Sequence, residues 1–249
     1  MKLNLLIAPD FAPERFAGWH MLNTALQRKS GLHIHLLTPA SAAEQNKLIE
    51  DGKVDVVYAN PFDAAAMIRE QGFTAIARPI DKPDEMVIAT GADSPLNEVE
   101  DLEAGQVIAL TDNKDVKLIG LRLMEVADLV EDDIEWQMAE NYQAVARMII
   151  SGDAHAGFFL AEAWHSLSNL SKSRMKMLIE SKLADISHVL LTHPRMADSV
   201  PAFKDALLGL SGDTDGQQVL DSLGIEKGFE PMEQEDAEFM IDLMETLLD

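Results

Sequence analysis

Apolar runs of strand length alternate with helix-patterned segments through the first ninety residues, and few folds accept that order. Residues 2–8 form an apolar run. Pro13 then opens a segment in which Phe16, Trp19, Leu22 and Leu26 recur at helical spacing before Gly31. Residues 32–37 read as a second strand, with His33 and His35 on one face and Leu32, Ile34 and Leu36 on the other. Ser41 with Glu44 three residues on is a capping box, and that helix stops at Gly52. Residues 54–59 are a third strand, Pro61 starts a helix ending near Gly72, and residues 73–80 and 85–90 are further strands. Strand, helix, strand at this spacing predicts right-handed crossovers and a mostly parallel sheet.

The same grammar returns in the second half. Strands are predicted at 106–110, 134–138, 154–159, 175–179 and 188–192, and helices at 113–128, 142–151 and 161–170. From Pro194 the pattern is helical, over 197–208, 216–223 and 233–248, the last with Phe239, Leu243 and Leu247 as its apolar stripe. Gly52-Lys53-Val54-Asp55 is echoed by Gly152-Asp153-Ala154-His155: a helix ends at Gly, a polar residue turns the chain, and a buried strand follows. The expected architecture is therefore α/β and two-lobed. Lobe I is residues 1–92 plus 187–249 and lobe II is 93–186, with hinge crossings near 90–97 and 180–188. Ligands collect in the crevice at the carboxyl ends of such strands.

Composition narrows the function classes. The net charge is −23, and it is uneven: residues 1–85 hold 11 acids and 9 bases, whereas 86–249 hold 32 acids and 11 bases. With no cluster of Lys and Arg, nucleic acid and anionic lipid are not expected partners. No apolar run reaches the roughly 20 residues of a bilayer span, so direct membrane insertion is not expected. With no Cys, thiolate catalysis and Cys-ligated zinc are excluded. His33 and His35 lack a third ligand at a telling spacing and read as a solvent-facing pair. His155 reads as a satisfied buried histidine, and neither a metal nor a cofactor is expected. The opening residues lack the pattern of a secretory signal; the expected location is cytoplasmic if Met1 is the native start and periplasmic if a signal peptide has been removed.

The ordering resembles the phosphate/phosphite/phosphonate substrate-binding proteins of ABC transporters, which have the type II periplasmic-binding-protein fold. The residues that carry the likeness are the strand at 3–8 with Pro9 and Pro13, and the run Gly52-Lys53-Val54-Asp55-Val56-Val57-Tyr58-Ala59-Asn60-Pro61. The strand at 86–90 with Asp93-Ser94-Pro95-Leu96, the segment 99–110, and Gly152-Asp153-Ala154-His155-Ala156-Gly157 continue it. Where the family has a Ser/Thr/Gly loop that wraps an oxyanion, this chain reads Thr111-Asp112-Asn113-Lys114-Asp115. Asn141 and Tyr142 occupy the neighbourhood of a family histidine.

Strand-to-helix junctions offer free N–H groups and partial positive charge to a ligand. The candidate ligand residues are Asp10, Phe11, Tyr58, Asn60, Thr111, Asp112, Asn113, Asn141, Phe159 and Glu162. Tyr58 supplies a phenol and a flat face, Asn60 a donor and an acceptor, and Phe11 with Phe158 or Phe159 an apolar wall. The carboxylates of Asp10, Asp112 and Glu162 disfavour a fully ionised phosphate and favour a ligand bearing a hydroxyl, an amine or a protonated oxygen. Tyr58→Ala and Thr111→Ala are each expected to weaken binding with little loss of fold.

The function expected from the residues and the resemblance is solute binding: two lobes close on a small polar molecule or oxyanion, which passes to an ABC permease. A cytoplasmic ligand sensor with a signalling partner is the alternative, and a biosynthetic enzyme on this fold is the third. No catalytic residues are expected, because no nucleophile or phosphate-loop motif is present.

Overall fold

The computed structural model describes residues 2–9, 11, 13–183 and 186–246. The chain divides into two units by contact: residues 1–83 with 185–244, and residues 84–184 with 245–249. The first contains β1 (Lys2–Ile7), α1 (Phe16–Ser30), β2 (His33–Leu37), α2 (Ala42–Glu50), β3 (Val56–Ala59), α3 (Pro61–Gln71) and β4 (Thr74–Pro79). The second contains β5 (Met86–Gly91), β6 (Val107–Leu110), α4 (Lys114–Met124), β7 (Glu135–Met138), α5 (Tyr142–Ser151), β8 (Ala156–Leu160), α6 (Ala161–Ser166), α7 (Asn169–Lys172) and β9 (Met175–Glu180). The chain then returns to the first unit as β10 (Val189–Thr192), α8 (Val200–Leu208), α9 (Thr214–Leu223), β11 (Phe229–Pro231) and α10 (Gln234–Thr246).

The first sheet has the order β11-β4-β10-β3-β1-β2 and the second β7-β6-β8-β5-β9. Both are mixed. Strands β1, β2 and β3 are parallel, but β10 enters antiparallel between β3 and β4. In the second sheet β6 is parallel to β7 and β8, and β5 lies antiparallel between β8 and β9. The run at 86–90 thus belongs to the second sheet, and the first boundary falls at Pro83/Asp84 rather than 92/93. The reason is pairing: all five residues of 86–90 are buried and pair with β8 and β9 of that sheet.

Each sheet is covered on both faces. In the first unit, Leu5, Tyr58 and Leu190 meet Trp19, Leu22 and Leu26 of α1, Phe203 and Leu207 of α8, and Leu220 of α9. On the other face Leu6, Val57 and Val189 meet Ile49 of α2, Met67 of α3, and Ala237 and Met240 of α10. Helix α10 buries Ala237, Met240, Ile241 and Met244, while Phe239 is 59% exposed. The predicted stripe through Phe239 and Leu243 is therefore displaced by one residue; Leu247 lies outside the described residues. In the second unit α4 and α5 sandwich β8. A Cβ on Gly120 would overlap the Phe158 ring, and one on Gly157 would lie 2.6 Å from Val145 Cγ1. These two glycines set how closely the helices approach the sheet, and hence where their N-termini sit. Among the described residues, no helix is long and apolar enough to cross a membrane.

Helix ends follow the sequence signals. Ser41 Oγ accepts the Glu44 N–H at 3.3 Å, and Glu44 answers by accepting the Ala40 N–H at 2.8 Å. The two halves of the internal echo both end in left-handed glycines, Gly52 (φ 67°) and Gly152 (φ 84°). His33 and His35 are exposed as expected. His155 is exposed rather than buried, yet its Nδ1 is satisfied by the Val107 N–H at 3.0 Å.

At the edge where β3 begins, Arg195 ties β10 to the neighbouring strands. Its Nε donates to Asp55 Oδ1 at 2.6 Å, and Asp55 Oδ2 accepts the Asn4 N–H at 2.8 Å. His193 Nδ1 accepts the Arg195 N–H, and its ring meets Phe73 edge-on at 5.2 Å. Burial first, and the Arg195 charge second, lower the His193 pKa below 6.5, with Asp55 opposing. The folded state then binds fewer protons than the unfolded chain near that pH. Stability is complete above 6.5 and falls as pH drops through it towards the lowered value. His193→Gln should flatten the decline in melting temperature between about pH 7.5 and 5. Met240→Ala should cost roughly 2–5 kcal/mol in urea unfolding, because α10 closes one face of the first sheet.

Candidate functional site

Because α1, α2 and α3 follow the parallel strands β1, β2 and β3, and α4, α5 and α6 follow β6, β7 and β8, the N-termini of these helices gather at the edges where the strands end. In the first unit this edge holds the residues after β1, the β3–α3 junction and the beginning of β10. Register places Leu190 opposite Tyr58 on the same face, so His188, two residues earlier, lies on the Tyr58 side. The two rings stack at 5.0 Å with planes 23° apart. Trp19 of α1 packs on Tyr58 at 4.8 Å, and Phe11 meets Trp19 edge-on at 6.0 Å. Four rings thus form a continuous row along the strand ends. Trp19, Tyr58 and His188 are at most 9% exposed, and Phe11 is half-buried.

Asn60 is the N-cap of α3. Its Oδ1 accepts the Asp63 N–H at 2.8 Å and its Nδ2 donates to Asp63 Oδ2 at 3.2 Å. The buried Gln45 amide also donates to Asp63 Oδ2, at 2.6 Å. Asn60 therefore has both ends of its amide engaged inside the unit. Asp10 lies outside the described residues.

The second unit's edge is built differently. Asn113 caps α4 by accepting the Val116 N–H at 3.1 Å, and Asn141 caps α5 by accepting the Ala144 N–H at 2.9 Å. In both, the cap consumes the carbonyl oxygen and leaves the NH2 group without a partner among the described residues. Thr111, 8% exposed, carries a hydroxyl that likewise has no partner there. The edge presents hydrogen-bond donors at the positive ends of two helices. Acids adjoin them: Asp112 is exposed and Glu162, in the first turn of α6, is half-buried. Phe159 is fully buried, 5.3 Å from the Trp164 ring and 6.1 Å from Tyr142, so its ring belongs to the packing beneath the edge.

The structure brings Phe11 and Tyr58 into one row in the first unit. In the second, Thr111, Asp112, Asn113, Asn141 and Glu162 all lie at strand-to-helix junctions of one sheet edge. Sequence reasoning missed His188 and Trp19. The signal for Trp19 was its position two turns from Phe11 and Pro13, but helical spacing marks it equally as core. His188 carries no signal beyond opening a strand.

The burial of Tyr58 changes one expectation. Tyr58→Ala should cost about 3–5 kcal/mol of stability, since it removes the ring that joins Trp19 to His188. Thr111→Ala should stay within about 0.5 kcal/mol. Denaturant unfolding of the two variants checks both.

The sequence model of a family described as ABC transporter, phosphonate, periplasmic substrate-binding protein matches residues 5–237. Among solved structures, the chain is similar to PhnD1 from Prochlorococcus marinus (MIT 9301) in complex with methylphosphonate. The TM-score is 0.84 at 14% identity, covering 99% of this chain and 98% of that one. A binding protein component of an ABC phosphonate transporter from Pseudomonas aeruginosa gives 0.82 at 12% identity, covering 98% and 86%. The periplasmic aliphatic sulphonate binding protein SsuA from Escherichia coli gives 0.67 at 14%, covering 98% and 87%. No curated protein sequence matches the chain.

Proposed function

Since the chain belongs to the phosphonate periplasmic substrate-binding family of ABC transporters, we propose that it captures a small, singly charged oxyanion at the strand-end edge of the second unit. The observation that carries this reading is the pair of asparagine caps in the second unit. Each spends its acceptor on its own helix and keeps donors for a ligand. With the Thr111 hydroxyl they make an edge that suits oxygen atoms bearing negative charge.

Asp112 and Glu162 set the charge limit. Two carboxylates beside the donors repel a dianion more strongly than a monoanion. A sulfonate, a singly ionised phosphonate, or an oxyanion with its own ammonium group therefore fits better than fully ionised phosphate. Binding shifts the protein towards the conformation that holds the ligand more tightly, since a ligand shifts an equilibrium by its differential affinity. The ligand-bound form is the one delivered to an ABC permease, and the family supports an extracytoplasmic setting. The chain binds and releases its solute without turnover.

Isothermal titration with methanesulfonate, methylphosphonate and inorganic phosphate tests this. One site per chain should saturate. Affinity for methylphosphonate and phosphate should fall as rising pH removes their second proton, whereas methanesulfonate should be indifferent. Asn141→Asp separates capping from binding: Asp caps as well as Asn, but it trades donors for a carboxylate. Its melting temperature should match the parent, with affinity at least about tenfold weaker, the loss of one charge-assisted hydrogen bond. Unaltered affinity would place the ligand elsewhere.

A further inference from the structure

Strand β2 ends the order of the first sheet, so among the described residues one of its edges has no strand beside it. The direction of its backbone follows from β1. Asn4 turns its N–H to Asp55 Oδ2 and its carbonyl to the Asp55 N–H, both on the β3 side. Leu3 and Leu5 therefore face β2, where register sets them opposite Ile34 and Leu36. In a parallel ladder such residues bond the neighbours of their partners, here His33, His35 and Leu37. Leu32, Ile34 and Leu36 thus send their own N–H and carbonyl groups outward. Side chains, not a strand, meet them. Gln27 Oε1 accepts the Ile34 N–H and Asn23 Nδ2 donates to the Ile34 carbonyl, each at 3.3 Å. Ser30 Oγ accepts the Leu32 N–H at 3.2 Å. Asn23 and Gln27 stand one turn apart on α1. A depression of about 370 Å3, lined by Lys2, Gln27, His33, Ile34 and His35, opens at the same edge.

We infer that this edge is a pairing surface for β2 of a second copy, held closed by a strap made of Asn23 and Gln27. The sequence supplies the complementarity. Leu32-His33-Ile34-His35-Leu36 reads the same in both directions, so two copies laid antiparallel about Ile34 bring each residue opposite its own kind. Ile34 then exchanges both backbone bonds with Ile34 of the second copy, and Leu32 pairs with Leu36. His33 faces His35 at the closer positions that carry no hydrogen bonds. Charge does not forbid the approach: the net charge is −23, but residues 15–43 contain no acid. What blocks it is occupancy. The two carboxamides already satisfy the Ile34 N–H and carbonyl, and they stand where an incoming main chain would lie. An uncovered edge strand is a template for association, and covering it keeps a chain single.

Sedimentation equilibrium of the full chain tests this without a ligand. The parent should remain monomeric. Asn23→Ala with Gln27→Ala should form dimers, with a dissociation constant at least about tenfold below the parent's, the worth of one hydrogen bond released for pairing. Asn23→Ser with Gln27→Ser, which also shortens both side chains, should do the same, and circular dichroism verifies that each pair folds. Adding His33→Lys and His35→Lys to either should dissociate the dimer, because Lys then faces Lys across the two-fold axis. Both positions are exposed, so the fold should persist. Folded strap-free proteins that stay monomeric would overturn the inference. So would a dimer that survives the lysines, since it would lie on another surface. A parent dimer that the lysines dissociate would show the edge already open, and would overturn the strap.

Discussion

Each sheet is completed by an antiparallel strand that the chain delivers immediately after a crossing. Strand β10 seats itself between β3 and β4, and β5 between β8 and β9. Remove either, and a sheet splits through its buried middle, since every residue of β10 and the first five of β5 are buried. The crossings are thus anchored in the two cores, not attached to their surfaces. The same insertion brings His188 to the first unit's strand ends and Glu85 to the second's, so residues that no motif announces reach these edges by topology.

Much of this was legible in the amino-acid order. The alternation of apolar runs and amphipathic segments locates nearly every element, and Gly52, Gly72 and Gly152 end their helices as expected. The family resemblance, drawn from the run around Tyr58-Ala59-Asn60-Pro61 and its neighbours, agrees with the match over residues 5–237. What was not legible is direction and membership. A strand buried on both faces has no alternation, so 86–90 and 188–192 give no sign of which way they run or which sheet holds them. The boundary at 92/93 was misplaced for that reason. In α10, Phe239-Leu243 and Met240-Met244 form adjacent stripes of similar apolarity, and only packing against β3 and β10 decides between them.

The site was legible in outline and not in chemistry. The junctions were identified, but the sequence does not say that Asn60 differs from Asn113 and Asn141. All three cap helices. Asn60 also gives its NH2 group to Asp63, while the other two, with Val116 and Ala144 three residues on in place of a carboxylate, keep theirs. Likewise Tyr58 was identified by its place in a run, yet its energetic role comes from Trp19 and His188, distant in sequence and adjacent in space. The proposed function rests on the second unit's unspent donors beside acids, while the first unit's rings are buried packing.

The most direct trial of that account is an amide NMR titration with methanesulfonate. It predicts that resonances of Thr111, Asn113 and Asn141 in the second unit shift together with one saturation curve. Unshifted resonances at these three residues, or curves with separate midpoints among them, would contradict it.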